Sequence, residues 1–488
     1  MNDNWMGTGM RSIAAGGVLL AAISVNIGVT RAESITDALV NAYNTNPSLM
    51  AERAALHATD ENVSKALSGW RPTVSLNGRF NHEYTDSVTD FTFSAGEQTI
   101  NSKSIALELT QPLYRGGRTI NETHGAEEKV FAARARVTEV EQKVLLAAAT
   151  SHFDVIQAQE LLNLSIKNEQ VLVRKLQATR DRFEVGELTR TDISQAEARL
   201  ADATASRIAA EGDLSISRAG YRAIVGELPG KLQFPSEESM PQLFEADAGI
   251  KLSMQRNPTI VAALHNERAS LFDISSAAGV LLPEVSLDTS LTHSIDPTTF
   301  TSEQDSFQIG VTGRVPLYQS GSEYAQIREL RMIAGQRRQE LEEVRRRLEE
   351  NFSRSWEQLM TARARIRSFD VSVTANEIAL DGVNQEAEVG ARTILDVLDA
   401  ERELFEAKVN LLAARRDEAV ARYTILSVSG GMTAKDLSLP VKIYDPSYHY
   451  RLVKEKWIGF DENKQGFSIF DMELPASWKK NSFFDFLY

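Results

Sequence analysis

The chain has 488 residues, of which 42% are apolar, and its 53 Lys and Arg against 67 Asp and Glu give a formal net charge of −14. The apolar fraction argues against a wholly disordered chain, and the acidic balance argues against a protein that wraps nucleic acid, because that needs clustered cations. The absence of cysteine excludes disulfides, thiolate metal sites and cysteine nucleophiles.

The first thirty residues have the features of an export signal. Arg11 precedes an apolar stretch at residues 12–29, and the small residue Ala32 fits a signal-peptidase site. This predicts a signal peptide at residues 1–32. The alternative is a membrane anchor, but the stretch is short and contains glycine, serine and asparagine. No later run of about 18 apolar residues occurs, so we expect an exported protein that is either soluble or spans a membrane by strands.

The rest of the chain is a tandem repeat. Two pairs of landmarks lie 211 residues apart and two lie 204 residues apart, and a deletion in one loop explains the difference. The predicted division is repeat 1 at 33–226, a connecting collar segment at 227–250, repeat 2 at 251–431, and a C-terminal collar or tail at 432–488. Three of the landmark pairs are Asn46-Pro47 with Asn257-Pro258, Pro72–Leu76 with Pro283–Leu287, and Val185-Gly186 with Val389-Gly390.

Each repeat contains a predicted β-hairpin with one apolar and one polar face. Apolar residues alternate with polar ones. Strands of roughly 10–12 residues cross the ~25 Å apolar band of an outer membrane. The strands alone are equally compatible with a half-buried sheet in a soluble domain. The export signal and the lack of an apolar helix favour membrane-spanning strands. His82 and His293 occupy matching positions on the apolar faces, where we interpret them as interfacial residues. The predicted strands are about 73–85 and 103–114, and about 284–294 and 306–318.

A long helix follows each hairpin. Residues 119–184 contain no proline and one glycine, and residues 323–388 form the matching element. Roughly 66 residues at 1.5 Å each make a helix of about 100 Å. Tip turns are predicted at 185–191 and 389–395, with Thr191-Asp192 capping the helix that returns alongside.

Four strands per chain are too few to close a barrel, which starts at eight strands. Two copies give eight strands and a filled interior, whereas three copies give twelve strands and a wet bore. Polar residues on the inner face favour three copies, so the sequence predicts a homotrimer. These residues are Arg79, Glu83, Glu108 and Asp288.

The mature chain up to about Gly431 resembles the TolC family of outer-membrane efflux and type I secretion channels. The repeat plan, the prolines at the helix–strand junctions and above all the stretch VGARTILDVLDA at 389–400 carry the resemblance. It implies an α+β membrane protein in which a trimer forms a 12-stranded outer-membrane β-barrel on a long α-helical periplasmic tunnel. It also implies a periplasmic adaptor protein, an inner-membrane ABC or proton-driven exporter and outer-membrane lipid as partners.

The resemblance further implies a periplasmic gate at the helix tips. Arg392 matches the family's gate arginine, Thr191 and Asp192 match its polar partners, and Asp396 and Asp399 match two aspartates that face the pore. Asp396 and Asp399 share a helix face, so a threefold axis makes rings of six carboxylates that attract cations. The alternative is that Asp396 and Asp192 are ordinary helix caps. The expected adaptor-docking tips are Val185, Gly186, Glu187, Leu188, Val389, Gly390 and Ala391.

Two features depart from the family or leave alternatives open. Ala387 occupies the position of a tyrosine that locks the gate in the best-known member, so we expect Arg392 and its acidic partners to carry more of the lock. The tail at 436–488 is expected to fold onto the collar or to remain partly disordered. We expect no enzyme, cofactor or resident metal, because Gly226–Leu232 is one residue short of a phosphate loop and His152 and His265 lie in helical sequence. The alternative function is a secreted coiled-coil rod or adhesin.

Overall fold

The computed structural model describes residues 34–86, 97–235, 240–242, 245–298 and 301–460. The predicted signal peptide, the last 28 residues and part of the connecting segment lie outside this set. Each repeat runs in the same order: a short helix, a helix of 21 or 22 residues, a β-hairpin, a helix of 67 residues and a returning helix. In chain order the helices are α1 Ile35–Thr45, α2 Pro47–Leu67, α3 Arg118–Glu184, α4 Arg190–Val225, α5 Ala246–Arg256, α6 Pro258–Gly279, α7 Ser322–Glu388, α8 Ile394–Val428 and α9 Tyr448–Val453.

The junction between the two short helices of each repeat is built by the same pair of residues. Asn46 is the N-cap of α2, and its side-chain oxygen accepts a hydrogen bond from the Ser48 N–H at 3.0 Å. Asn257 does the same for α6, with the Thr259 N–H at 2.9 Å. The proline that follows each asparagine takes the first helical position, where no N–H partner is needed. An Asn-Pro pair therefore begins the second helix of each repeat.

The four strands form one antiparallel sheet in the order β1-β2-β3-β4. β2 begins earlier than predicted because Gln98 pairs with Thr85 at the far end of β1. β4 ends at Arg314 and not at residue 318 as predicted. The reason is that Pro316 lacks the backbone N–H that strand pairing needs. The strands are β1 Thr73–Thr85, β2 Gln98–Arg115, β3 Glu284–Thr298 and β4 Thr301–Arg314.

The largest apolar core lies where α1, α3 and α4 meet the chain segment after α8. Phe153 and Tyr221 are fully buried there, and Met432 and Ala434 from the C-terminal segment pack into the same cluster. The tail as far as Phe460 is therefore folded onto repeat 1, and α9 lies against α2, with His449 buried and hydrogen-bonded to Asp60.

Across the described residues, no helix combines the length and the apolar character needed to cross a membrane.

Candidate functional site: the helix tips and the seam above them

The first tip is the turn between α3 and α4. Gly186 takes a left-handed backbone conformation with φ +82°, and no atom lies where its Cβ would be. Val185 beside it is 72% exposed. The Thr189 N–H and hydroxyl both donate to the Asp192 carboxylate, at 2.8 and 2.7 Å. These bonds, the backbone one first, lower the pKa of Asp192 below its ordinary value.

The second tip is built in the same way. Gly390 has φ +78°, and Val389 is 80% exposed. Thr393 caps α8: its hydroxyl and N–H donate to the Asp396 carboxylate at 2.7 and 2.9 Å, and the Asp396 N–H donates back to the hydroxyl at 3.2 Å. The Thr393 hydroxyl, its N–H and the nearby Arg392 charge together lower the pKa of Asp396.

The helix caps correct one prediction. The residue that caps α4 is Thr189, and Thr191 lies exposed inside the first turn. The reason is that the carboxylate of Asp192 stands three residues after Thr189, the spacing of a capping box. The tip turns are accordingly shorter than expected, because α4 begins at Arg190 and α8 begins at Ile394. Asp192 and Asp396 both serve as capping partners, which is the alternative role considered for them.

Within one chain the predicted gate residues are not all brought together. The Arg392 guanidinium donates to Glu386 at 2.8 Å, on the last turn of α7. In the described part of the chain, no hydrogen bond joins Arg392 to Thr191 or Asp192. Ala387, at the position of the family tyrosine, is buried, and its carbonyl accepts the Gly390 N–H at 3.2 Å. The structure thus pairs the tip arginine with a glutamate that precedes it by six residues.

A small apolar cluster, here called the cross-repeat seam, lies above the tips. It joins repeat 1 to repeat 2, because Leu398 of α8 inserts between α3 and α4 and is only 2% exposed. Ile193, Leu200 and Ile394 pack against its edge. The seam residues are Leu172, Leu176, Ala196, Ala203 and Leu398.

Two polar contacts are made by residues next to the cross-repeat seam in the chain. The Arg199 guanidinium of α4 pairs with the Asp399 carboxylate of α8 at 2.7 Å, and the Lys175 ammonium of α3 donates to the Asn384 side chain of α7 at 2.7 Å. Asp399 therefore has a cationic partner in the same chain. This pairing offsets the charge of the carboxylate ring that the sequence predicts at this position.

Glu401 is the one further acid of this region whose pKa is displaced. Burial raises its pKa, and the charges of Lys175, Lys408 and Arg174 oppose that rise. The described residues contain no group of three or more His, Asp and Glu side chains arranged to hold a metal ion.

Sequence reasoning missed Glu386, Arg199 and the Lys175–Asn384 contact. A weak signal existed for Arg199, which lies seven residues after Asp192 and so on the same face of α4. No local pattern indicates that this face meets Asp399, because the two residues are 200 positions apart.

Comparison with known proteins identifies the family. The outer membrane efflux protein model matches residues 38–227 and 249–431. Outer membrane efflux protein BepC of Brucella suis biovar 1 is 34% identical over 452 residues, which cover 92% of this chain and 96% of that protein. Outer membrane protein TolC of Vibrio cholerae is 26% identical over 86% of this chain and 95% of its own.

Among solved structures, the CmeC outer membrane channel of Campylobacter jejuni superposes with a TM-score of 0.74 over 86% of this chain and 89% of its own. At 13% identity this similarity shows the fold alone. The family model and the relative that is 34% identical together establish the family. The chain belongs to the outer membrane efflux protein family, which confirms the repeat fold, the outer-membrane location and the export role predicted from the sequence.

Proposed function

We propose that three copies of this chain form a passive exit duct that carries small molecules, unfolded proteins or both across the outer membrane. The observation that carries the proposal is the open four-stranded sheet, whose edges are β1 and β4. An edge strand leaves backbone N–H and C=O groups without partners, which is costly inside a bilayer. Pairing β4 of one copy with β1 of the next removes both edges.

The apolar face of the sheet supports a tilted barrel. A boundary can be drawn across this face through one residue of each strand. That residue is the last large apolar residue before the first histidine or charged residue on the way to the hairpin turn. In the observed register, this boundary moves by four residues along the strands between β4 and β1. Four residues are about 13 Å along a strand and three strand spacings are about 14 Å, so the boundary slopes by about 40°. Barrel strands tilt by 35–45°. The boundary residues are Phe307, Leu291, Ile105 and Phe80.

The inner face supports three copies over two. An eight-stranded barrel has an interior filled by side chains, whereas twelve strands leave a water-filled bore. The polar face of β1 presents Asn77, Arg79 and Glu83, all exposed in the single chain. Charged side chains of this length are more stable in a wet lumen than in a packed interior.

The tips supply the proposed gate. We place the closed state in contacts that join the second helical hairpin, α7 and α8, to the first, α3 and α4: the cross-repeat seam and the Arg199–Asp399 pair. The Arg392–Glu386 pair lies within the second hairpin and holds Arg392 against the end of α7. Thr191 and Asp192 remain proposed partners of Arg392 across the repeats, and Asp396 and Asp399 remain the proposed pore-facing acids. Opening moves the second hairpin away from the first.

The same tips are the proposed docking points for a periplasmic adaptor that connects the duct to an inner-membrane ABC or proton-driven exporter. Val185 and Val389 are the most exposed apolar residues of the two turns. Exposed apolar side chains at rigid turns are suitable anchors for a partner protein. Glu187, Leu188 and Ala391 complete the surface.

Assembly is tested by crosslinking across the β4–β1 seam. The chain has no cysteine, so an introduced pair supplies its only thiols. Asn77→Cys combined in turn with Ser306→Cys, Gln308→Cys or Gly310→Cys places both thiols on the polar face. One combination is expected to give a covalent trimer on a denaturing gel. A covalent dimer as the largest product, or no crosslink in any combination, contradicts the proposed barrel.

Channel activity is tested by conductance of the purified protein in planar lipid bilayers. Arg392→Ser is expected to raise the conductance, because it removes the proposed contact of Arg392 with Thr191 and Asp192 across the repeats. Arg402→Ser is the matched control: Arg402 is similarly exposed and pairs with Glu406 on its own helix at 3.6 Å. Equal conductance for both variants argues against Arg392 as a gate residue. Protein that never conducts and washes off membranes with carbonate indicates the rod or adhesin instead.

A further inference from the structure

A cluster of basic and aromatic residues lies at the base of the sheet. Arg71 stands two residues before the first residue of β1, and Lys65 lies on the last turn of α2. The C-terminal segment brings Lys456, Trp457 and Ile458 to the same place, where they line a cleft of about 290 Å³. These five residues are here called the rim patch.

Specific contacts hold the C-terminal part of the rim patch in position. The Arg71 guanidinium lies 5.3 Å from the centre of the Trp457 ring, a cation–π contact. Arg71 also donates to the Ser64 hydroxyl at 3.5 Å, and that hydroxyl donates to the Lys456 carbonyl at 3.3 Å. The end of α2 and the C-terminal segment are therefore joined at the level where the strands begin.

The rim patch presents unusual apolar surface beside positive charge. Trp457 is 65% exposed and Ile458 is 60% exposed. Three cations line the cleft against one carboxylate, that of Glu61. Trp at a membrane interface places its ring among headgroups and acyl chains, and Lys and Arg beside a membrane surface attract anionic lipid. Val74, the first residue of the apolar face on β1, follows Arg71 by three residues and is 64% exposed.

We propose that the rim patch binds the headgroup of an anionic phospholipid in the leaflet that faces the periplasm. The inference rests on the proposed membrane barrel, because that assembly places the base of β1 at this leaflet. Arg71 and Lys65 contact the phosphate, and Trp457 and Ile458 lie against the start of the acyl chains. Repeat 2 has Leu282 and Ser276 at the matching positions, so each chain carries the basic site once.

The first test measures contact with lipid through tryptophan fluorescence. Mature protein that retains only Trp457, with its other tryptophans changed to Phe, is reconstituted in phosphatidylethanolamine–phosphatidylglycerol vesicles. Lipids brominated near the headgroup are expected to quench Trp457. A second protein with Leu76→Trp as its only tryptophan reports on the strands. Quenching of position 76 without quenching of Trp457 overturns the rim-patch inference alone, and quenching of neither overturns the membrane barrel as well.

The second test measures the role of charge. In detergent, brominated phosphatidylglycerol is titrated into the protein with Trp457 as the only tryptophan. Its apparent affinity is expected to fall about fivefold for each cation removed by Arg71→Gln or Lys65→Gln. Arg268→Gln, an exposed arginine on α6, is the matched control and is expected to change nothing. Circular dichroism checks that each variant is folded.

Three outcomes of the charge test overturn the inference. The first is equal affinity for phosphatidylglycerol and zwitterionic phosphatidylcholine, which would show that the patch does not select an anionic headgroup. The second is full displacement of the lipid by inorganic phosphate at physiological concentration, which would show an anion site without a lipid contact. Persistent quenching in the doubly substituted Arg71→Gln, Lys65→Gln protein would likewise assign the contact to the apolar residues alone.

Discussion

The cross-repeat seam gives the most quantitative prediction about opening. Leu398 is 2% exposed and contributes the only seam side chain from repeat 2 in the described cluster. Replacing a buried leucine by alanine costs about 3 kcal/mol, within the usual range of 2–5. If the closed arrangement alone buries Leu398, Leu398→Ala destabilises that arrangement by this amount. Since each 1.36 kcal/mol is a factor of ten, the ratio of open to closed arrangements rises by about a hundredfold for each copy.

The ion pair beside the seam is expected to matter less. The side chains of Arg199 and Asp399 are 28% and 41% exposed, so solvent screens their attraction. Pairs of this kind contribute about 0.5–1 kcal/mol, which corresponds to a two- to fivefold change in the same ratio. A cycle of Arg199→Ala, Asp399→Ala and the double variant separates the pair from the separate effect of each residue.

The assay is open probability in planar bilayers, with the unfolding midpoint measured in parallel. Leu359→Ala is the matched control, because Leu359 is fully buried in a different cluster on α7. It should lower the midpoint about as much as Leu398→Ala and leave open probability unchanged. If Leu398→Ala also leaves open probability unchanged, the seam does not hold the channel closed. If Arg199→Ala exceeds Leu398→Ala, electrostatics and not apolar burial dominate the closed state.

Three further predictions concern the scaffold. Burial lowers the pKa of His152 to about 4, and neither ring nitrogen has a hydrogen-bond partner in the described structure. Because the folded protein then binds this proton less readily than the unfolded chain, the free energy of unfolding should fall by about 3 kcal/mol between pH 6.5 and pH 4. His152→Leu should flatten that dependence in unfolding midpoints measured across this range. His449→Ala should leave the fully buried Asp60 carboxylate without its 3.0 Å contact to the His449 ring, and so release the C-terminal segment. The measurement is the rate of proteolysis between residues 432 and 460, which should rise. Thr393→Ala should speed amide exchange in the first turn of α8 through loss of the cap, whereas Thr191→Ala should not change exchange in α4.

The elements that could be predicted from the sequence are those fixed by local chemistry. The alternation of apolar and polar residues predicted the start of β1 at Thr73 and of β3 at Glu284. A period of two residues puts all the apolar side chains on one face of a strand, so the point where the period begins marks the start of the strand. The Asn46-Pro47 pair marks the start of α2, because asparagine suits the N-cap and proline suits the first helical position. The end of α3 at Glu184 followed from the glycine that the turn requires.

The contacts that could not be predicted join residues far apart in the chain. Arg199 meets Asp399, and His449 meets Asp60 across 389 positions. Nothing in the local sequence distinguishes these charged residues from the many that lie on solvated helix faces. The error at Thr191 was of another kind: two threonines, Thr189 and Thr191, were available as caps, and only the reciprocal spacing to Asp192 separates them.

The two repeats share a backbone plan but divide the charged residues unequally. Leu188 stands in the first tip where Arg392 stands in the second, and Leu282 stands in repeat 2 where Arg71 stands in repeat 1. In a ring of three copies this turn position therefore alternates between leucine and arginine. If all six tips were identical, opening would require the contacts of all six to break together. If Arg392 is a gate residue, as proposed, loosening the second helical hairpin of each copy would open the gate, while the first helical hairpin stays anchored to the core through α1 and the C-terminal segment.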